Sequence, residues 1–336
     1  MEQLQNEMMN KRSIGKSTAQ LYVRNLRILK GKVFNDEEPF DGNLDWLKQT
    51  KKIMDYLNTE KTNTRKTRLS SIVVALKTRD IMDDVTFYSD EMYKAINEHN
   101  EFIKQNKKST VQEDNWVTLE DLSNLWNKYK KEVYANDLHK KNTLIINKLQ
   151  KALLQKWLVT SLYVLTPPRR NRDYSTMTTI DYDQYEDLDK KQKNANNYLV
   201  FKKNNDMFFS IGDYKTNNYK EGSRMKNRGV DIQKIPAKLK RVIKIWRKFN
   251  SEPGASLILN NRGQQMNANA LTKYLMRIFE GTGKKKVSST ILRHVFISEC
   301  PKLKKYRKNK EDAEQIANSM CHSLSEQQKY YKKDNS

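Results

Sequence analysis

Leu165-Thr166-Pro167-Pro168-Arg169-Arg170-Asn171-Arg172-Asp173-Tyr174 divides the chain into two kinds of patterning. Before it, residues 144–165 have the period of a helix, with Ile145, Leu149, Ala152, Leu153, Trp157 and Leu162 on the inward face and Lys148, Lys151 and Lys156 outward. The two prolines end that helix, since proline lacks the amide hydrogen and pushes the residue before it out of helical geometry. After them the period shortens. Tyr198–Phe201 and Met207–Ile211 are apolar runs flanking Lys202–Asp206, which predicts a hairpin, and a third short strand is expected within Val230–Ile235.

Outward from this divide the chain reads as mostly helical. Toward the N-terminus, residues 14 to about 80 predict helices, with Leu21, Val23, Leu26 and Leu29 as one apolar face and Ser70-Ser71 opening a short apolar helix at Ile72–Leu76. Lys61, Arg65, Lys66 and Arg68 precede that helix and are candidates for facing phosphates. Residues 98–116 are polar without apolar periodicity and are expected to be a linker. Thr118 and Asp121 form a capping-box pattern ahead of Leu119, Leu122, Leu125, Trp126 and Tyr129. Toward the C-terminus, Pro236 suits a helix start, Asn267 or Asn269 caps a helix to Phe279, Ser288 or Ser289 caps another through Cys300, and a last helix begins near Glu311. The expectation is an α+β, mostly helical chain: a helical N-terminal domain over 1–105, a linker to about 116, and a mixed domain over 117–336 with a small antiparallel sheet.

Composition narrows the class of partner. The chain has 336 residues, 64 Lys and Arg against 40 Asp and Glu, and a formal net charge of +24. Residues 1–110 carry +4 of this and the remainder +20, with 14 basic and 4 acidic residues in 201–250 and six Lys or Arg in 301–310. Such a surplus, interleaved with Tyr, Trp and Phe, fits a polyanion and points to nucleic acid. No apolar stretch approaches the roughly 20 residues of a membrane span, and no segment pairs a basic face with a strongly apolar one, so no membrane partner is expected. The first ten residues lack a secretory pattern, and two cysteines do not make a disulfide framework. An intracellular location with DNA is the expectation.

Metal and nucleotide chemistry find little support. His99, His139, His294 and His322 lie far apart, and neither they nor Cys300 and Cys321 have ligand spacing. Gly281-Thr282-Gly283-Lys284-Lys285 lacks the remainder of a phosphate loop, and Asp83-Asp84 has no strand context. No cofactor and no metal are expected. What remains is an ordered set: Arg169-Arg170, a lysine near the hairpin, Arg293, His322 and Tyr330-Tyr331. Two guanidiniums can hold the non-bridging oxygens of a phosphodiester and stabilise a pentacoordinate transition state. A phenol can then attack phosphorus while a lysine protonates the leaving oxygen.

At these residues the sequence resembles the tyrosine recombinase family of phage-integrase type. Arg170 with Asp173 three positions on and Met177 seven on fits the family's first arginine motif better than Arg169 does. Leu292-Arg293-His294 is like the second arginine motif, and Met320-Cys321-His322-Ser323 followed by Tyr330-Tyr331 is like the third. The family's nucleophile usually lies nine residues beyond that histidine, which selects Tyr331 over Tyr330. Tyr214-Lys215-Thr216 resembles the lysine-bearing turn, making Lys215 the proton donor, with Lys202, Lys203 and Lys220 close by. His294 is expected to pack or to orient neighbours. Two positions depart from the pattern: Thr290 stands where many members carry histidine, and Cys321 where glycine commonly precedes the histidine.

The resemblance implies a helical core-binding clamp at 14–80 and a catalytic site of Arg170, Lys215, Arg293, His322 and Tyr331. It implies DNA cleavage and rejoining through a 3′-phosphotyrosine, without metal or ATP, by a homo-tetramer on two duplexes. The Pro167-Pro168-Arg169-Arg170 form is similar to integrases of large DNA viruses, virophages and eukaryotic mobile elements. The same residue types also suit a type IB topoisomerase-like or hairpin-resolving enzyme, and Thr290 and Cys321 leave room for a decayed, DNA-binding relative.

Overall fold

In the computed structural model the described residues are all but 36–39, 141, 144, 205, 216, 218–228, 253, 302, 304–309 and 334–336. Lys220 and most of the basic run 301–310 lie outside the described residues. The chain divides into two compact units, Met1–Gln105 and Asn106–Ser336.

The first unit is helical: α1 (Glu2–Arg12), α2 (Lys16–Phe34), α3 (Thr50–Asn58), α4 (Thr62–Thr78) and α5 (Val85–Lys104). α2 buries Ala19, Val23, Leu26, Leu29 and Val33, each three or four residues from the next, while Leu21 faces out at 44% exposure. α4 starts eight residues before the expected Ser70, because its polar first turns are held by ion pairs. Arg65 pairs with Glu98, and Arg68 sits 3.0 Å from Glu60. Residues 98–104 complete α5 rather than forming a linker. Their polarity reflects a solvent-facing last turn, not the absence of a helix.

In the second unit, Thr110–Asp114 makes the short helix α6, closed by a Ser109–Gln112 capping box. α7 (Leu119–Ala135) carries the expected box, with Thr118 Oγ1 accepting from Asp121 N at 3.0 Å and Asp121 Oδ2 accepting from Thr118 N at 2.9 Å. α8 (Lys148–Val164) packs against α7, and from Leu154 to Tyr163 only Lys156 is exposed. Two of its buried polar side chains are bonded across the core: Gln155 reads both backbone groups of Leu259, at 2.9 and 2.8 Å, and Ser161 accepts from Trp126 Nε1 at 2.8 Å. The expected inward positions Ile145, Leu149 and Ala152 instead face solvent, Ile145 at 90% and Leu149 at 81% exposure. They precede or open the helix, before it enters the core.

Past the prolines come α9 (Asn171–Ser175), β1 (Met177–Asp181), α10 (Tyr182–Glu186), α11 (Lys190–Ala195), β2 (Asn197–Phe201), β3 (Met207–Ile211) and β4 (Asp231–Lys234). The sheet order is β1-β2-β3-β4. It is mixed, not wholly antiparallel: β1 runs parallel to β2 with Met177 opposite Asn197, whereas β2–β3 and β3–β4 are antiparallel. A parallel neighbour requires a crossover of a dozen or so residues, and α10 with α11 supply it. Then follow α12 (Ala237–Arg247), α13 (Ala268–Phe279), α14 (Ser289–Glu299), α15 (Lys310–Ser319) and α16 (Leu324–Tyr330). The mostly helical α+β class stands. Among the described residues no helix is long and apolar enough to cross a membrane.

Candidate active site

The two adjacent arginines after the prolines have different fates. Arg169 is fully buried: its Nε donates to Asp173 at 3.0 Å, Nη1 to Asp231 at 2.8 Å and to the carbonyl of Ser319 at 3.0 Å, and Nη2 to Cys321 Sγ at 2.7 Å. Burial opposes its charge, but Asp173, Cys321 and Asp231 more than offset that and raise its pKa. Arg169 therefore joins α9, β4 and the end of α15. Arg170 is the extended residue before α9, half-buried, with Nη1 3.4 Å from the carbonyl of Cys321.

α14 brings up the second arginine. Ser288 caps this helix by accepting from Ile291 N at 3.4 Å, and its apolar face fixes Arg293 at 1% exposure. Arg293 Nη2 donates to His322 Nδ1 at 2.7 Å, while Nε and Nη1 are buried with no partner among the described residues. Burial lowers its pKa, and Arg170 lowers it further, against the opposite pull of the Tyr330 phenol and Asp173. Among the described residues no carboxylate forms an ion pair with Arg170 or Arg293. Two neighbouring guanidiniums without a direct ion pair, one of them nearly dry, favour an anion between them.

His322 reaches this pocket through a tight helix ending. Cys321 N donates to the carbonyl of Asn318 at 2.9 Å and His322 N to that of Ala317 at 3.1 Å, the bond pair of a Schellman ending, with Cys321 at φ 50° in the position that glycine favours. A left-handed non-glycine residue costs about 1–2 kcal/mol. The Cys321 thiol opposes this cost by bonding Arg169 and donating to Asp231 at 3.3 Å, and burial pushes its pKa to about 12. The residue that departs from the glycine pattern is thus tied into the buried arginine cluster.

With Nδ1 accepting from Arg293, His322 carries its hydrogen on Nε2 and donates to Gln327 Oε1 at 3.4 Å. The ring of Tyr330 stacks on His322 at 5.6 Å and 25° and lies 4.5 Å from Arg293 Cζ. Tyr331 ends α16 and packs, half-buried, against the cluster containing Ile297, Cys300 and Met320. The structure thus gathers Arg170, Arg293, His322 and Tyr330. It places Tyr331 beside them, on the apolar cluster of α14 and α15. Lys215 lies exposed in the β3–β4 connection, and no hydrogen bond or ion pair joins it to the four among the described residues. Thr290 is exposed in the first turn of α14, one turn before Arg293. Among the described residues no cluster of His, Cys, Asp and Glu could hold a metal ion.

Sequence reading missed Asp231, Gln327 and the contact of His294 Nδ1 with the carbonyl of Tyr330 at 2.7 Å. Only the contact at His294 had a local signal, its place directly after Arg293. In the first unit, Arg65 and Arg68 are engaged with Glu98 and Glu60, and Lys66 also has a partner. Lys61 is exposed. Lys16, Arg24 and Arg27 are exposed too, and with Gln5, Asn6 and Gln20 they line a cleft of about 560 Å³.

Burial pushes His294 and His322 down to about 4, aided at His322 by Arg293 and Arg170 and at His294 by Lys332 and Arg293. Unfolded, both return to about 6.5, so between these values the unfolded chain binds more protons and stability rises with pH. Stability is expected to be fully present above pH 6.5 and to fall toward pH 4, by of order 3 kcal/mol per ring once both are charged. Urea midpoints from pH 7 to 4 test this, with His322→Asn flattening the decline. Equal declines in both proteins would show that His322 is not held neutral.

No protein-family model matches the chain, and no curated protein does. Among solved structures, that of XerA recombinase is similar over 99% of this chain and 94% of its own, at 10% identity and a TM-score of 0.40.

Proposed function

We propose that the protein cleaves and rejoins DNA strands through a covalent link between phosphate and a tyrosine of the Tyr330-Tyr331 pair. The observation that carries this reading is Arg293, a buried guanidinium whose Nε and Nη1 have no partner among the described residues, beside Arg170, which forms no ion pair among them, and a tyrosine ring. A phosphodiester seated there would give the orphaned N–H groups the charged acceptors that they lack. Both guanidiniums would hold its non-bridging oxygens, and their attraction would grow as negative charge builds in the transition state. Neutral His322 would orient Arg293 through Nδ1. Lys215 would protonate the departing 5′-oxygen.

The net charge of +24 supports a duplex as the substrate, since phosphate neutralisation by many Lys and Arg residues gives steep, salt-sensitive affinity. Recombination, as integration or excision by four protomers on two duplexes, is the form of the reaction that the motif order favours. A helical clamp over 1–105 and a catalytic domain over 117–336 would divide the work. The phosphotyrosine retains the energy of the broken bond, so this chemistry calls for neither ATP nor metal.

The test is incubation in EDTA with nicked duplexes taken from the DNA flanking the coding sequence. An SDS-resistant adduct is expected with the native chain and none with the double variant Tyr330→Phe/Tyr331→Phe. Salt-sensitive binding without an adduct on any duplex would overturn the enzyme reading in favour of a DNA-binding protein, the outcome to which exposed Thr290 would contribute.

A further inference from the structure

We propose that Tyr330, not Tyr331, is the attacking residue, and that His294 and Ser298 are positioning residues that set this register. The inference rests on the strand-cleavage reading above. His294 and Ser298 are four residues apart and so share one face of α14. His294 Nδ1 donates to the carbonyl of Tyr330 at 2.7 Å, and Ser298 Oγ accepts from the amide of Lys332 at 2.8 Å. These two groups belong to the peptide units on either side of Tyr331. The helix carrying Arg293 therefore grips the backbone at both ends of one residue, and a third bond, from Lys333 N to the carbonyl of Asn106 at 2.8 Å, continues the hold.

Such a grip decides which ring faces the pocket. Tyr331 is extended, at φ −65° and ψ 132°, and ends the helix that carries Tyr330, so successive side chains diverge there. With the flanking peptides fixed, Tyr330 lies over Arg293 and against His322, its ring also 5.0 Å from that of His294. A slip of one residue would require both backbone bonds to break. Spacing from His322 selects Tyr331 only if the chain beyond α16 is free to choose its register, and α14 removes that freedom.

In the reaction the Tyr330 hydroxyl oxygen bonds phosphorus as the bond from phosphorus to the 5′-oxygen breaks. The phenolic proton passes to solvent and the 5′-oxygen takes one from Lys215 or water, so protons balance and nothing is oxidised. The experiment uses the full chain on the nicked duplexes. The adduct is expected to be lost in Tyr330→Phe and kept in Tyr331→Phe. In the Tyr330→Phe background, adding His294→Ala and Ser298→Ala is expected to let an adduct form on Tyr331. His294→Asn in place of His294→Ala, whose amide N–H reaches the same carbonyl, is expected to suppress it again, an outcome that a merely structural role for His294 would not produce. Loss in Tyr331→Phe with retention in Tyr330→Phe, or retention in both single variants, overturns the assignment and leaves strand cleavage standing. No adduct with the native chain overturns strand cleavage first, and the assignment with it.

Discussion

Arg169→Met is expected to destabilise the protein by about 3–5 kcal/mol, the range for removing one partner of a buried ion pair. Arg169 has no exposed surface, and its guanidinium bonds Asp173, Asp231, the Ser319 carbonyl and the Cys321 thiol. Methionine fills much of the volume but leaves the buried Asp173 carboxylate, at 1% exposure, without the guanidinium that donates to its Oδ2; its Oδ1 already lacks a bond. Burial raises the Asp173 pKa even with Arg169 present, and without the guanidinium it rises further. The native variant would then hold a proton that its unfolded chain releases, so the deficit should shrink as pH falls from 8 toward 5. Denaturant midpoints at the two pH values, with unchanged slopes, measure it. A loss below about 1 kcal/mol, the scale of an exposed pair, would mean that the four bonds do not hold the α9, β4 and α15 junction together.

Legibility in the sequence followed the range of the interaction. The caps at Thr118, Asn267 and Ser288 were readable because each side chain bonds an amide three residues away. The β2–β3 hairpin was readable from its two apolar runs. β1 was not: of Met177–Asp181 only Met177 and Thr179 are buried, and what makes it a strand is Asn197–Phe201 alongside, twenty residues on. The same limit applied in the site. Arg169 and Arg170 are chemically alike, and Arg169 turns inward to pair with Asp231, on β4, as well as with Asp173. The Tyr330-Tyr331 ambiguity is one residue wide, and the groups that bear on it, His294 and Ser298, belong to a separate helix. The ion pairs of Arg65 with Glu98 and of Arg68 with Glu60 were not legible either, since neither glutamate lies within a helical turn of its partner.

Arg293→Met should have the opposite effect on stability while removing activity. Each buried, unsatisfied donor costs about 1–3 kcal/mol, and Arg293 carries two such groups on a charge that burial already disfavours. Methionine eliminates both, at the expense of the bond to His322 Nδ1 and the contact with the Tyr330 ring. The net expectation is a gain of about 1–2 kcal/mol, seen as a higher melting temperature. Adduct formation should fall by at least about 10²–10³-fold, the effect of deleting one preorganised donor at a developing oxyanion. The contrast with Arg169→Met is diagnostic, because both arginines are buried and only their partners differ. An arginine kept at a cost to the fold is being kept for a ligand. Inorganic phosphate supplies an independent readout: it should raise the melting temperature of the native chain, by binding the folded state alone, and leave Arg293→Met unmoved. If Arg293→Met instead unfolds as Arg169→Met does, and phosphate acts on both proteins alike, the guanidinium belongs to the scaffold and the anion pocket is not there.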